Sequence, residues 1–153
     1  MNIYFNGDSN MSGMEVEYKD AIPSHIANFF NTDNCVNDAL SGACNDHIYT
    51  TTMKYLENNT PDLVVIGWSD TGRMQMFNPD SGKYVQMNGI NVGEVPANFQ
   101  PLHDLLHDKM QIGSTFSIEH AHYWHYRIFE VHNYLKYRNI KHLFFSAFDI
   151  ATQ

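Results

Sequence analysis

Short apolar runs alternate along this chain with longer segments in which apolar residues recur at helical spacing. Each of the first three runs is followed within a few residues by a glycine, and none shows the polar alternation of a half-exposed strand. Such runs are typical of strands that are covered on both faces. The predicted strands are Ile3–Phe5, Cys35–Leu40, Leu63–Ile66 and His142–Phe145.

The segments between these runs predict helices. Pro23 suits the first turn of one helix, and either Asn45 or Asp46 can cap a second helix that runs to about Leu56. Ser117 can cap a third helix from Ile118 to about Tyr137. The apolar stripe of this last helix consists of Ala121, Trp124, Ile128, Val131 and Leu135.

The alternation of strand and helix breaks after the third strand. Met74–Phe77 and Lys83–Met87 flank a Pro- and Gly-containing turn and predict a β-hairpin. We predict no regular element between residues 88 and 117. The whole pattern predicts one domain over residues 1–153, an α/β/α three-layer sandwich with a parallel sheet. Residues 71–117 are predicted to be an insertion with a β-hairpin, near the carboxyl edge of the sheet.

Composition narrows the classes of partner. The 153 residues carry a formal net charge of −8, and no basic cluster is present, so binding to nucleic acid or an anionic membrane is not expected. The first residues lack the features of a signal peptide. We therefore expect a soluble protein without a cofactor, and we expect Cys35 and Cys44 to be free thiols.

The sequence Gly7-Asp8-Ser9 directly follows the first predicted strand. A serine at such a turn places its hydroxyl at the carboxyl edge of a parallel sheet, where ligands bind in open α/β folds. As a nucleophile it would also need a base and hydrogen-bond donors for an oxyanion.

Three sequence blocks resemble those of SGNH/GDSL hydrolases, and more narrowly the short form encoded by tailed marine bacteriophages. Each block includes the end of a predicted strand, and the three come in the family's order. The blocks are Ile3-Tyr4-Phe5-Asn6-Gly7-Asp8-Ser9-Asn10, Asn37-Asp38-Ala39-Leu40-Ser41-Gly42 and Leu63-Val64-Val65-Ile66-Gly67-Trp68-Ser69-Asp70. The resemblance implies a flavodoxin-like fold with strand order 2-1-3-4, here ending after the fourth strand.

The same resemblance implies roles for individual residues. Ser9 would be the nucleophile, and the backbone amides of Ser9 and Gly42 would bind the oxyanion. The third block normally reads Gly-x-Asn-Asp, but Ser69 replaces the asparagine and Asp70 completes the block. Either Asn45 or Ser69 would be the third donor. Asp8, Asn10, Trp68 and Arg73 are the expected binding residues.

The family's base comes from an Asp-x-x-His block after a fifth strand, and this sequence ends at Gln153 without it. Asp104 and His107 match the spacing, although they precede the long helix, and a surface helix turn is the favoured interpretation. His120, His122 and His125 suggest a metal site. Because their spacing is poor for helical ligands, we expect this segment to line either the sheet or a pocket wall, and we predict no metal.

The resemblance leaves three functions open. The first is hydrolysis of acyl or acetyl esters, with a small molecule or a carbohydrate as the substrate. The second is a catalytically inactive binding or structural module of a phage particle, and the third is binding or degradation of a small host metabolite. We expect a homo-oligomer or a phage-particle partner, located in the cytoplasm of the infected host or in the virion.

Overall fold

A computed structural model of the chain describes residues 1–14, 16–87, 95, 97–109 and 115–147. The strands are β1 (Ile3–Asn6), β2 (Cys35–Asn37), β3 (Leu63–Trp68), β4 (Met74–Asn78), β5 (Lys83–Met87) and β6 (Lys141–Ser146). The helices are α1 (Ser9–Ser12), α2 (Ile22–Phe29), α3 (Asn45–Asn58), α4 (Gln100–Lys109) and α5 (Thr115–Tyr137). Two 3₁₀ turns are Tyr18–Asp20 and Ala97–Phe99.

The main sheet has four parallel strands in the order β2-β1-β3-β6. From β1 the chain passes to β2 on one side and then crosses to β3 on the other side. The order therefore reverses between β1 and β3, and in open α/β sheets ligands bind outside the carboxyl ends of the strands at such a point. The antiparallel pair of β4 and β5 forms a separate sheet. The predicted α/β class, parallel sheet and separate hairpin are confirmed.

Two apolar clusters lie on opposite faces of this sheet. On one face, Tyr4, Val64 and Ile66 pack with side chains of α3 and α5, such as Ile48 and Leu135. On the other face, Ile3, Phe5 and Val65 pack with Met11 of α1 and with partly buried residues of α2. Helices therefore cover the sheet from both sides, which explains the continuously apolar strands.

Glycines let α1 approach the carboxyl edge of the sheet. A Cβ atom added to Gly67 would lie 2.8 Å from Cγ of Met11. A Cβ atom added to Gly7 would lie 2.5 Å from the same atom and 2.9 Å from the Gly67 carbonyl oxygen. Because neither glycine has a side chain, Met11 of α1 can pack against both and is fully buried.

The structure corrects several predicted boundaries in the first half of the chain. β2 ends at Asn37 rather than Leu40, because the Asn37 side chain accepts a hydrogen bond from the Ala39 N–H and turns the chain. Neither Asn45 nor Asp46 caps α3. The N-cap is Cys44, which makes no side-chain capping bond, and the Asn45 amide instead bonds to the backbone of Ser69.

Two further corrections concern the stretch predicted to be irregular. It contains α4, whose first turn carries Pro101 at a position that a helix tolerates. α5 begins at Thr115, so Ser117 lies inside this helix and is not its cap. The predicted stripe of α5 is confirmed where Trp124, Val131 and Leu135 are buried.

Within the described part of the chain, no helix combines the length and the apolar character needed to cross a membrane.

Candidate functional site

Ser9 stands where β1 gives way to α1. Asp8 is the N-cap of this four-residue helix, and its Oδ1 accepts hydrogen bonds from N and Nδ2 of Asn10, at 3.0 and 3.2 Å. Asp8 is fully buried, whereas Ser9 is half-buried and Asn10 is exposed. The turn therefore buries the carboxylate and leaves the serine at the carboxyl edge of the sheet, as predicted for this junction.

Asp8 is also bonded to the loop that follows β3. Its Oδ2 lies 3.2 Å from Nη1 of Arg73 and 3.4 Å from Oγ of Ser69. The same guanidinium nitrogen donates to Oγ of Ser69 at 3.1 Å. A buried carboxylate needs such a counter-charge, because an isolated buried ion is strongly disfavoured. Asp8, Ser69 and Arg73 thus join the carboxyl ends of β1 and β3 across the point where the strand order reverses.

Asn45 holds the same loop from α3. Its Oδ1 accepts from the Ser69 N–H at 2.8 Å, and its Nδ2 donates to the Ser69 carbonyl oxygen at 3.0 Å. Asn45 is buried, so this two-point contact replaces the backbone pairing that β3 loses at its end. The Asn45 amide therefore positions Ser69 in the loop.

Gly42 lies in the loop after β2, which runs beside the turn at Gly7. The Leu40 N–H donates to the Gly7 carbonyl oxygen at 3.1 Å, and the Ala43 N–H donates to the Leu40 carbonyl oxygen at 3.0 Å. Gly42 has a φ of 76°, in the left-handed region that glycine adopts without strain. Within the described residues, the amides of Ser9 and Gly42 donate no hydrogen bond inside the protein.

The side-chain donors predicted for the oxyanion are engaged elsewhere. A hydroxyl has one proton, and that of Ser69 faces Asp8. Asn45 donates to the Ser69 backbone. Asp70 is exposed, and its carboxylate accepts from the Gly72 N–H at 2.6 Å, which stabilises the turn. Of the predicted donors, the backbone amides of Ser9 and Gly42 therefore remain available in this arrangement.

Two of the predicted ligand-binding side chains, Trp68 at the end of β3 and Arg73 in the loop after it, have internal partners. Trp68 is 4% exposed and packs edge-on against Phe144 in the core, with ring centroids 5.7 Å apart. Its ring is therefore a core element and does not form an open stacking platform. Arg73 faces the buried Asp8, so its guanidinium forms an internal ion pair in place of the predicted contact with a ligand.

The predicted histidine cluster is split by the structure. Nδ1 of His120 lies 2.6 Å from the Thr71 carbonyl oxygen, in the loop after β3, while His122 and His125 are exposed. Among the described residues, no three histidine, cysteine, aspartate or glutamate side chains converge as a metal-ion site.

Asp104 and the candidate base His107 both fall in α4. The Asp104 carboxylate contacts Nε2 of Gln100 at 2.8 Å and Nδ1 of His103 at 3.2 Å. The side chain of His107 lies outside the described part of the structure. Within that part, the Ser9 hydroxyl makes no hydrogen bond, so no base is identified for it.

Two titratable groups at the start of α3 are shifted by burial. Burial raises the pKa of Asp46, and the nearby His120 and Arg127 act in the opposite direction. Burial raises the pKa of the Cys44 thiol to about 11, so this sulfur is protonated near neutral pH and is a poor nucleophile. Cys35 and Cys44 form no disulfide with each other in the described part of the chain.

Sequence reasoning missed Asn6, which fixes the start of the turn. This buried residue accepts the Gly7 N–H at Oδ1 over 2.8 Å. Its Nδ2 lies within hydrogen-bonding distance of Tyr4 Oη, the Ile48 carbonyl oxygen and the hydroxyls of Thr51 and Thr52. The available signal was a polar amide at the end of an otherwise apolar strand, because a buried amide requires partners.

No protein-family model matches the chain, and no curated protein matches it either.

Proposed function

We propose that this protein is a serine ester hydrolase in which Ser9 attacks acyl or acetyl esters of a small molecule or a carbohydrate. The observation that carries the proposal is the position of Ser9. It is half-buried at the carboxyl end of β1, beside the point where the strand order reverses, and the loop after β3 is bonded to its neighbour Asp8. Ligands of open α/β sheets bind at this place.

The two unpaired amides support the same chemistry. Attack by the Ser9 oxygen on an ester carbonyl, with transfer of the hydroxyl proton to a general base, forms a tetrahedral intermediate with an oxyanion, and fixed N–H groups stabilise this charge. The N–H group of Ser9 begins α1 after β1, and that of Gly42 lies in the loop after the neighbouring strand β2. Within the described residues, neither N–H group has an internal acceptor. We propose these two amides as the oxyanion donors.

A labelling experiment tests whether Ser9 is activated. We expect a fluorophosphonate probe to label the wild-type protein between about pH 6 and 9, since an activated serine near a base reacts in this range. The substitution Ser9→Ala should abolish the label, and peptide mass spectrometry should place it on Ser9. Ser81→Ala is the matched control, because Ser81 is exposed in the hairpin turn and should not affect labelling.

A second candidate is a binding module without catalytic activity. It is favoured by the closed hydrogen-bonded set of Asp8, Ser69 and Arg73, which holds polar side chains against each other. A folded sample that neither labels at Ser9 nor hydrolyses p-nitrophenyl acetate would reject the hydrolase and leave this second candidate.

A further inference from the structure

The loop from Ser69 to Arg73 is held by side chains from three separate elements. Asn45 of α3 binds the backbone of Ser69 at two points, and Asp8 before α1 pairs with the Arg73 side chain. The third contact comes from α5, where Nδ1 of His120 lies 2.6 Å from the Thr71 carbonyl oxygen. This third contact bridges 49 positions of sequence.

The chemistry of this contact fixes which ring nitrogen of His120 carries the donated proton. A carbonyl oxygen only accepts hydrogen bonds, so Nδ1 must carry a proton and donate it. The bond therefore exists in both the neutral and the charged imidazole. Around the ring, Tyr123 stacks at a centroid distance of 6.2 Å and Trp124 packs edge-on at 6.4 Å. Of the charged groups, Asp46 at the start of α3 interacts electrostatically with His120.

We infer that His120 is a positioning residue of the candidate site, which holds the Ser69–Arg73 loop in the conformation that pairs Arg73 with Asp8. The effect of His120 on catalysis rests on the proposed function, whereas its contact with the loop does not. His120 acts through the Thr71 carbonyl oxygen and the loop backbone, and Asp8 then connects the loop to the turn that carries Ser9.

Three substitutions separate the Nδ1 donor from the rest of the ring. The side-chain amide nitrogen of asparagine can occupy the place of Nδ1, whereas that of glutamine is closer to the place of Nε2. Phenylalanine keeps the ring shape and removes both nitrogens. We expect His120→Asn to keep the bond to Thr71 and His120→Gln and His120→Phe to lose it.

Hydrogen exchange of peptides that cover residues 69–73 measures the loop directly. Loss of one hydrogen bond should raise exchange there by about two- to tenfold in His120→Phe and His120→Gln, with His120→Asn close to wild type. His122→Phe is the matched control, since His122 lies two residues further along α5 and is exposed. Unchanged exchange in His120→Phe would overturn the proposal.

Labelling of Ser9 by the fluorophosphonate then tests the functional consequence. We expect the rate to fall in His120→Phe and His120→Gln and to recover in His120→Asn, at equal thermal unfolding midpoints. Loss of Ser9 labelling in His120→Asn, with hydrogen exchange of the loop equal to that of wild type, would overturn the positioning role. The imidazole ring itself would then be required for labelling. A third result is that no protein labels, wild type included, while hydrogen exchange in the loop rises only in the variants that lack the Nδ1 donor. The hydrolase proposal then fails, and the positioning of the loop by His120 stands.

Discussion

Asp8 illustrates how one buried charge organises a site. Its carboxylate is fully removed from solvent, and it accepts from Asn10 on one oxygen and from Ser69 and Arg73 on the other. A buried ion pair of this kind adds little net stability, but removing one partner leaves an uncompensated charge. Removal of one charge of the Asp8–Arg73 pair should therefore lower the free energy of unfolding far more than removal of both charges.

The substitution Arg73→Met tests this expectation. We expect it to lower the free energy of unfolding by about 3 kcal/mol, because the buried Asp8 carboxylate loses its counter-charge. The double variant Asp8→Asn with Arg73→Met should recover part of this loss, since the remaining amide carries no charge. Urea unfolding followed by circular dichroism measures both.

Arg127→Met is the matched control for that pair. Arg127 bonds to Glu130 one turn away at 2.9 Å, and both side chains are partly exposed, so its loss should cost below about 1 kcal/mol. Equal destabilisation by Arg73→Met and Arg127→Met would contradict the special role of the buried pair.

At the scale of elements, a pair of histidines joins α5 to the strand β6. Nε2 of His142 lies 2.8 Å from Nδ1 of His132. His142 also places Nδ1 2.9 Å from the Ile140 carbonyl oxygen, so Nδ1 must be the donor there. In the neutral pair, Nε2 of His142 is therefore the acceptor and Nδ1 of His132 donates. The bond fixes the packing of the long helix on the last strand of the described sheet.

We expect His142→Phe and His132→Phe each to lower the free energy of unfolding by about 1 kcal/mol, the usual net contribution of one hydrogen bond. The double variant should cost less than the sum of the two, because both substitutions remove the same bond. His125→Phe serves as the control, since His125 is exposed on the same helix. Strictly additive effects would show that the two rings are not coupled.

At the scale of the whole molecule, His47 links folding to pH. Burial lowers the pKa of His47 from its ordinary value of 6.5, and the nearby Asp38 acts in the opposite direction. The unfolded chain therefore binds a proton more readily than the folded protein. The stability that neutral His47 contributes is present above about pH 6.5 and decreases as the pH falls through its lower folded pKa.

Unfolding by urea at pH 7.5 and pH 5.5 measures this linkage. We expect wild-type protein to lose more stability between these two values than the His47→Gln variant, which lacks the titrating group. The control is His25→Gln, at an exposed position on α2, which should keep the wild-type pH dependence. A His47→Gln variant with the full wild-type pH dependence would refute the assignment of this linkage to His47.

The sequence predicted the class of fold because each sheet strand carries its own local signal. The apolar run from Leu63 to Ile66 is covered on both faces by helices, as its pattern indicates. Where the local signal is weaker, the predicted elements and boundaries were wrong. The chain at Asn37 turns through a side-chain bond, and the helix Gln100–Lys109 has a short apolar pattern interrupted by charged and histidine side chains.

The sequence by itself determined the succession of strands and helices along the chain, the parallel sheet and the place of Ser9 after β1, because hydrophobic periodicity and glycine positions are local properties of the chain. Tertiary structure alone decided which side chains meet. Asp8 with Arg73, Asn45 with Ser69 and His120 with Thr71 are contacts across 65, 24 and 49 positions. Such pairs depend on how whole helices pack against the sheet, and no local pattern encodes this packing.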